Sequence, residues 1–133
     1  MKISTRGRYG LKAMVDIAAN SQEGCVSLKS IAERTNLSES YLEQLIAPLK
    51  KAGLVKSTRG ANGGYILGRN AENISVGDIL RVVEGPLELV ECLKGGESCG
   101  MGDCSQCATK DVWARLSDSV SETADNINLS ELI

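Results

Sequence analysis

A mainly helical chain with one short β-hairpin is what these 133 residues predict. Three observations predict it. Apolar residues recur at helical spacing in several separate segments. A Gly- and Asn-rich run separates two short apolar runs. A long aperiodic stretch then precedes a last helical segment. Taken in order, Ser4 or Thr5 caps a first helix from about Arg6 to Asn20, with Leu11, Met14, Val15 and Ala18 on one face. After the loop SQEGCV, Ser27 caps a short second helix with Leu28, Ile31 and Ala32 inward, and TNL at 35–37 breaks it. Ser38 or Ser40 caps a third helix, and Ser40 with Glu43 has capping-box spacing. Leu42, Leu45, Ile46 and Leu49 form its stripe. Pro48 lies inside that stripe and bends the helix or distorts its last turn, and Gly53 ends it. Leu54–Ser57 and Gly64–Leu67 flank TRGANGG, a hairpin whose loop needs positive φ values. Ser75 and Asp78 form a capping box for a fourth helix with Ile79, Leu80 and Val83 inward.

The stretch from Glu91 to Cys107 shows no periodicity and carries four glycines and four cysteines. A loop of that length inside a small protein is a functional feature or a disordered one. A fifth helix follows, from about Thr109 to Asn126. Trp113, Leu116, Val120, Thr123 and Ile127 alternate spacings of three and four, a heptad-like seam. Such a seam packs either on the chain's own core or on a second copy. Its position after a loop, with a Trp in the stripe, favours the second copy. The final NLSELI is expected to be a short turn docking on that dimer. Two parts emerge, residues 1–85 and residues 86–133.

Composition closes several routes. Apolar residues make up 42% and charged residues 24% of the chain, with no histidine and no phenylalanine. The absence of histidine removes Ser-His-Asp chemistry, HExxH sites and His-containing zinc fingers. Four aromatic residues, Tyr9, Tyr41, Tyr65 and Trp113, do not make a stacking platform for single strands. No apolar run approaches the ~20 residues of a membrane span. MKISTRGRYG has no signal-peptide core, so a cytoplasmic protein is expected. No nucleophile or base constellation stands out, so neither an enzyme nor a small-molecule substrate is expected. The net charge of -2 hides an asymmetry: residues 1–70 carry eleven Lys/Arg against five Asp/Glu, and residues 71–133 carry four against twelve. The basic front half suggests a polyanion as partner.

Three helices and then a hairpin describe a winged helix-turn-helix, with helices two and three joined by a short turn. Helix three would enter the major groove by its first turn, which offers Ser38, Ser40, Tyr41, Glu43 and Gln44. Gln pairs well with adenine, and Glu accepts from cytosine. Arg59, with Gly60 and Asn62 after it, sits at a hairpin tip suited to a narrow minor groove. Arg6, Arg8, Lys29, Lys50, Lys51 and Lys56 would contact phosphates of double-stranded DNA. Each of these residues also has a plainer use, as a cap, a packing group or a charge matching a helix dipole.

Cysteines stand at 25, 92, 99, 104 and 107, the last four spaced C-x6-C-x4-C-x2-C. In a cytosolic chain that density means metal or redox chemistry rather than a disulfide framework. Thiolates select zinc, copper(I) or an iron–sulfur cluster. Only Cys104 and Cys107 make a CxxC pair, whereas structural zinc usually takes two. The glycines favour a loop around a larger inorganic core. Zinc, or a thiol switch without metal, remains open. Cys25 stands apart and reads as a small hydrophobe.

The stretches MKISTRGRYGLKAMVDIA, SLKSIAERTNLSESYLEQL and LKKAGLVKSTRGANGGYIL, with ISVGDILRVVEG, closely resemble the IscR-type winged-helix regulators, whose relatives include NsrR and CymR. The resemblance covers essentially the whole chain. It implies a homodimer bound to palindromic DNA, with a long helix crossing to the partner, and a transcription regulator, as expected a repressor. It also implies a 2Fe–2S cluster. Cys92 and Cys104 match the first and third ligand positions, Cys99 matches the second with one residue of displacement, and Cys107 takes the place of a histidine. In the nitric-oxide-sensing relatives an aspartate near the N-terminus is a ligand, and this chain has Arg8 in that neighbourhood. The CymR-like members carry no cluster, and four clustered cysteines argue against that branch.

Overall fold

The computed structural model describes residues 2–90 and 108–133. The chain runs α1 (Thr5–Asn20), α2 (Leu28–Thr35), α3 (Glu39–Lys51), β1 (Val55–Thr58), β2 (Gly64–Leu67), α4 (Val76–Val83) and α5 (Lys110–Asp125), with single 3-10 turns at Ala71–Asn73 and Leu129–Leu132. The mainly helical architecture with a hairpin wing is as the sequence predicts.

Local chemistry sets the boundaries. Ser4, Ser27, Ser38 and Ser75 each cap a helix, their hydroxyls accepting the N–H of Gly7, Ser30, Tyr41 and Asp78. The α3 cap is therefore Ser38, and Ser40 lies inside the first turn, so the Ser40–Glu43 capping box does not form. The reason is Asn36, in the left-handed region at φ 59, which turns the chain out of α2 and leaves Ser38 extended at the start of α3. Ser75 and Asp78 do form a reciprocal box. Pro48 is accommodated within α3, which continues to Lys51 with Leu49 fully buried. The proline lacks the N–H that would reach back to Gln44, and the loss falls near the helix end.

The core comprises Ala13, Met14 and Ile17 of α1, Ile31 of α2, Leu42, Ile46 and Leu49 of α3, and Ile79 and Val83 of α4. Leu11 and Val15 are half-buried at its edge, because the inward face of α1 is centred on Met14 and Ile17. The hairpin pairs antiparallel with Val55 opposite Leu67 and Thr58 opposite Gly64. Val26, in the α1–α2 connection, exchanges both backbone hydrogen bonds with Tyr65, each 2.8 Å. The wing is thus stitched to the helices on its second edge.

The C-terminal segment returns to the core. Val76 N–H donates to Ile127 O and Leu129 N–H to Ile74 O, both at 2.8 Å, and the Leu129 side chain is completely buried. The turn expected to dock on a dimer thus docks on its own chain. A second, smaller apolar cluster joins Val76 and Leu80 of α4, Leu87 in the connection after α4, and Ala124 of α5, with Ile127 against it. Gly77 allows this approach, since a Cβ there would run into Asp125.

Candidate nucleic-acid interface

The outer face of α3 is polar because its inner face is spent on the core. Ser40, Glu43 and Gln44 are exposed and lie three and four residues apart, on one side of the helix. Ser38 is exposed at the helix start with its oxygen already accepting from Tyr41 N–H at 3.1 Å. Tyr41 is half-buried, and its ring meets Tyr9 of α1 edge-on, with centroids 6.1 Å apart. Arg8 lies 5.8 Å above the Tyr9 ring, a cation–π distance. This chain of contacts links Arg8 and Tyr9 of α1 to Tyr41 in the first turn of α3, and Arg6 is exposed in the first turn of α1. Charge spacing marked the arginines, but nothing in the sequence paired Tyr9 with Tyr41.

The remaining predicted contacts are also exposed: Lys29 on α2, Lys50 in the last turn of α3, Lys56 on β1, and Arg59, Gly60 and Asn62 at the wing tip. Gly60 takes φ 116, which supplies the positive φ the loop requires. Thr58 Oγ1 accepts from Gly64 N–H at 3.2 Å and closes the hairpin end. The Asn62 carbonyl accepts from the Cys25 thiol at 2.6 Å. Cys25 is therefore tied to the wing rather than being a simple apolar filler.

One ion pair and one charge-assisted hydrogen bond brace α1 against α2. Arg34 of α2 donates to both oxygens of Asp16 on α1, at 2.8 and 3.0 Å. That hydrogen bond raises the guanidinium pKa further, against a smaller opposing effect of burial. Lys12 Nζ donates to the Thr35 carbonyl at 3.2 Å, a cation at the C-terminus of α2. On α5, Ser117 and Ala124 face the chain, whereas Val112, Trp113 and Leu116 are 49%, 37% and 46% exposed. Val120 is half-buried, Thr123 is exposed, and Ile127 lies beyond the helix end on the smaller cluster. Of the expected seam, Trp113 and Leu116 with Val112 form an open apolar face.

Cys92, Cys99, Cys104 and Cys107 lie outside the described residues. Among the described residues no group of three or more His, Cys, Asp or Glu side chains is placed to hold a metal.

The family model for Rrf2, described as an iron-dependent transcriptional regulator, matches residues 3–133. The chain belongs to the Rrf2 family. It is 51% identical over 132 residues to the HTH-type transcriptional regulator CymR of Bacillus subtilis, covering 99% of this chain and 89% of that one. A solved structure of CymR (YrzC), the global cysteine regulator of B. subtilis, superposes with a TM-score of 0.82 at 48% identity, covering 99% of this chain and 95% of that one. The chain is 46% identical over 133 residues to the regulator IscR of Pectobacterium atrosepticum, covering all of this chain and 79% of that one. A solved structure of T. potens IscR matches with a TM-score of 0.80 at 51% identity, covering 99% of this chain and 85% of that one. The IscR and CymR kinship implied by the sequence is thereby established, and identity does not set this chain in one branch against the other. As an Rrf2 protein it is a DNA-binding transcription regulator. No described helix is long and apolar enough to cross a membrane.

Proposed function

We propose that this Rrf2 protein is a homodimeric repressor that reads a palindromic operator and whose affinity is set by a 2Fe–2S cluster on Cys92, Cys99, Cys104 and Cys107. The observation that carries the DNA part is the exposed Ser40, Glu43 and Gln44 face of α3, tied through Tyr41 and Tyr9 to the exposed Arg8. Gln44 and Glu43 reach base edges in the major groove, and Arg59 enters the minor groove. Arg6, Arg8, Lys29, Lys50 and Lys56 neutralise phosphates and set the salt dependence. The open Val112, Trp113 and Leu116 face of α5 is the dimer contact, holding two reading helices about 34–36 Å apart.

The donor set fits the cofactor: four soft thiolates within sixteen residues match the ligand count of an iron–sulfur cluster. When bound, the cluster supplies a redox- and oxidant-sensitive centre between the α4 and α5 parts of the chain. An all-thiolate set is more negative than one containing histidine, and so lowers the reduction potential.

The deciding experiment is anaerobic purification with iron, acid-labile sulfide and zinc measured per chain. Affinity is then compared, with and without the metal, for a duplex selected by the wild-type protein from a random library. About two iron and two sulfide per chain, with affinity changed by their removal, is the expected result. About one zinc per chain, or no metal after reconstitution with iron and sulfide, would falsify the cluster reading.

A second reading rests on the Cys25 thiol, hydrogen-bonded to the wing at Asn62. In a metal-free repressor, a peroxide converts that thiol to a sulfenic acid with release of water, and the oxygen added to Sγ displaces the 2.6 Å contact with the wing. Cys25→Ser with oxidant-insensitive DNA binding, in a protein without iron, favours this reading over the first.

A further inference from the structure

The start of α1 and the end of α4 meet at one carboxylate. Glu84 is the residue at which α4 ends, its N–H bonded to Leu80 O. Its Oε1 accepts the backbone N–H of Ser4 at 2.7 Å, that of Gly7 at 3.1 Å, and the Ser4 hydroxyl as well. Ser4 already caps α1 by its own side chain. Glu84 therefore adds a second, anionic cap from far along the chain, where the helix dipole favours negative charge. Gly7 makes the room, since a Cβ there would collide with the Glu84 carboxylate.

The position of this latch in the chain gives it a use. Gly85, at φ 94, and then Pro86 turn the backbone out of α4 directly after Glu84. The cysteine-bearing stretch follows within a few residues. The α1 turn gripped by Glu84 bears Arg6 and leads to Arg8, which stacks on Tyr9, which in turn meets Tyr41 of α3. The start of α1 is thus held on one side by the reading helix and on the other by the exit from α4.

We propose that Glu84 is a positioning residue for DNA binding. By clamping the first turn of α1 it sets Arg6 and Arg8 against the phosphate backbone. This rests on the reading above in which Arg6 and Arg8 contact phosphate. A bare charge effect has the opposite sign, because deleting a carboxylate beside DNA strengthens binding.

The test uses the full chain and a duplex selected by the wild-type protein from a random library, with affinity measured across a salt series. Glu84→Ala is expected to weaken binding by about three- to tenfold near 0.15 M salt. The log–log salt slope should become shallower by about 0.9 for each phosphate that is no longer neutralised. Glu84→Gln keeps part of the hydrogen bonding and should fall between. Gly7→Ala displaces the same carboxylate from the other side and should reproduce Glu84→Ala. In an Arg6→Ala/Arg8→Ala background, Glu84→Ala should weaken binding no further. Unchanged or tighter binding by Glu84→Ala or Glu84→Gln overturns the proposal. So does an equal loss in both backgrounds with an unchanged slope, which marks general loss of folded protein. If Arg6→Ala/Arg8→Ala alone leaves affinity and slope at wild-type values, the phosphate-contact reading fails, and the latch with it.

Discussion

Gln44 and Lys50 stand on the same helix and have different expected roles. Gln44 lies on the exposed face proposed to read bases, and Lys50 lies in the last turn. Gln44→Ala should cost about 1–3 kcal/mol against the preferred duplex and little against a duplex changed at the contacted base pair. Lys50→Ala should weaken both duplexes alike and reduce the salt slope by about 0.9, the share of one phosphate. Equal behaviour of the two variants in a competition titration refutes the assignment of base reading to Gln44. At this scale the sequence was informative about type and silent about pairing. Exposed Ser, Glu and Gln on one side of α3 follow from the stripe of Leu42, Leu45, Ile46 and Leu49, because burying one face dictates the other. The Tyr9–Tyr41 contact, the Cys25–Asn62 bond and the Glu84 latch join residues distant in sequence, and no spacing rule reports such contacts.

At the scale of elements, helix ends are decided by backbone conformation more than by residue type. Two serines, Ser38 and Ser40, offered equal caps for α3, and the left-handed Asn36 selected Ser38. Ser38→Ala should therefore lower stability by about 1 kcal/mol. Ser40→Ala should leave the urea midpoint nearly unchanged while altering DNA affinity. The α4–α5 contact carries a charge test. Arg81 donates two hydrogen bonds to Asp125, at 2.6 and 2.9 Å, and these hold the Asp125 carboxyl below its ordinary range. A carboxylate with a lowered native pKa stabilises the fold above its unfolded pKa of about 3.9, and that contribution is lost as pH falls through the lower native value. The side chains are 39% and 44% exposed, so the contribution is at most about 1 kcal/mol. Asp125→Asn should be less stable than wild type at pH 7. The gap should close below about pH 4. A gap that persists in strong acid points to a packing effect instead.

For the whole molecule, the open α5 face and the returning C-terminal segment pull in different directions. Leu116→Asp should convert a dimer to a monomer in sedimentation equilibrium and weaken operator binding, with little effect on the thermal midpoint of the monomer. Leu129→Ala removes a side chain from the main core and should cost about 2–5 kcal/mol in chemical denaturation. A smaller loss means that the C-terminal turn is dispensable to the core. The fold class was legible because each helix shows its own period and α1 to α4 each start at a serine. The seam on α5 was legible only in part: Trp113 and Leu116 are open, whereas Ile127 falls past the helix end and packs within its own chain. A heptad pattern cannot distinguish those two uses, because both bury an apolar side chain.

The hydrogen bonds from Val76 to Ile127 and from Leu129 to Ile74 also govern when the protein becomes competent during its own synthesis. At about 5–20 residues per second, the stretch through α4 leaves the ribosome seconds before Leu129 does. Until then its core has an empty place where Leu129 belongs, and the start of α4 lacks the Ile127 carbonyl. A nascent chain therefore completes the half that carries α3 only after all four clustered cysteines have been translated, so the order of synthesis puts those thiols in the chain before its winged-helix core is whole.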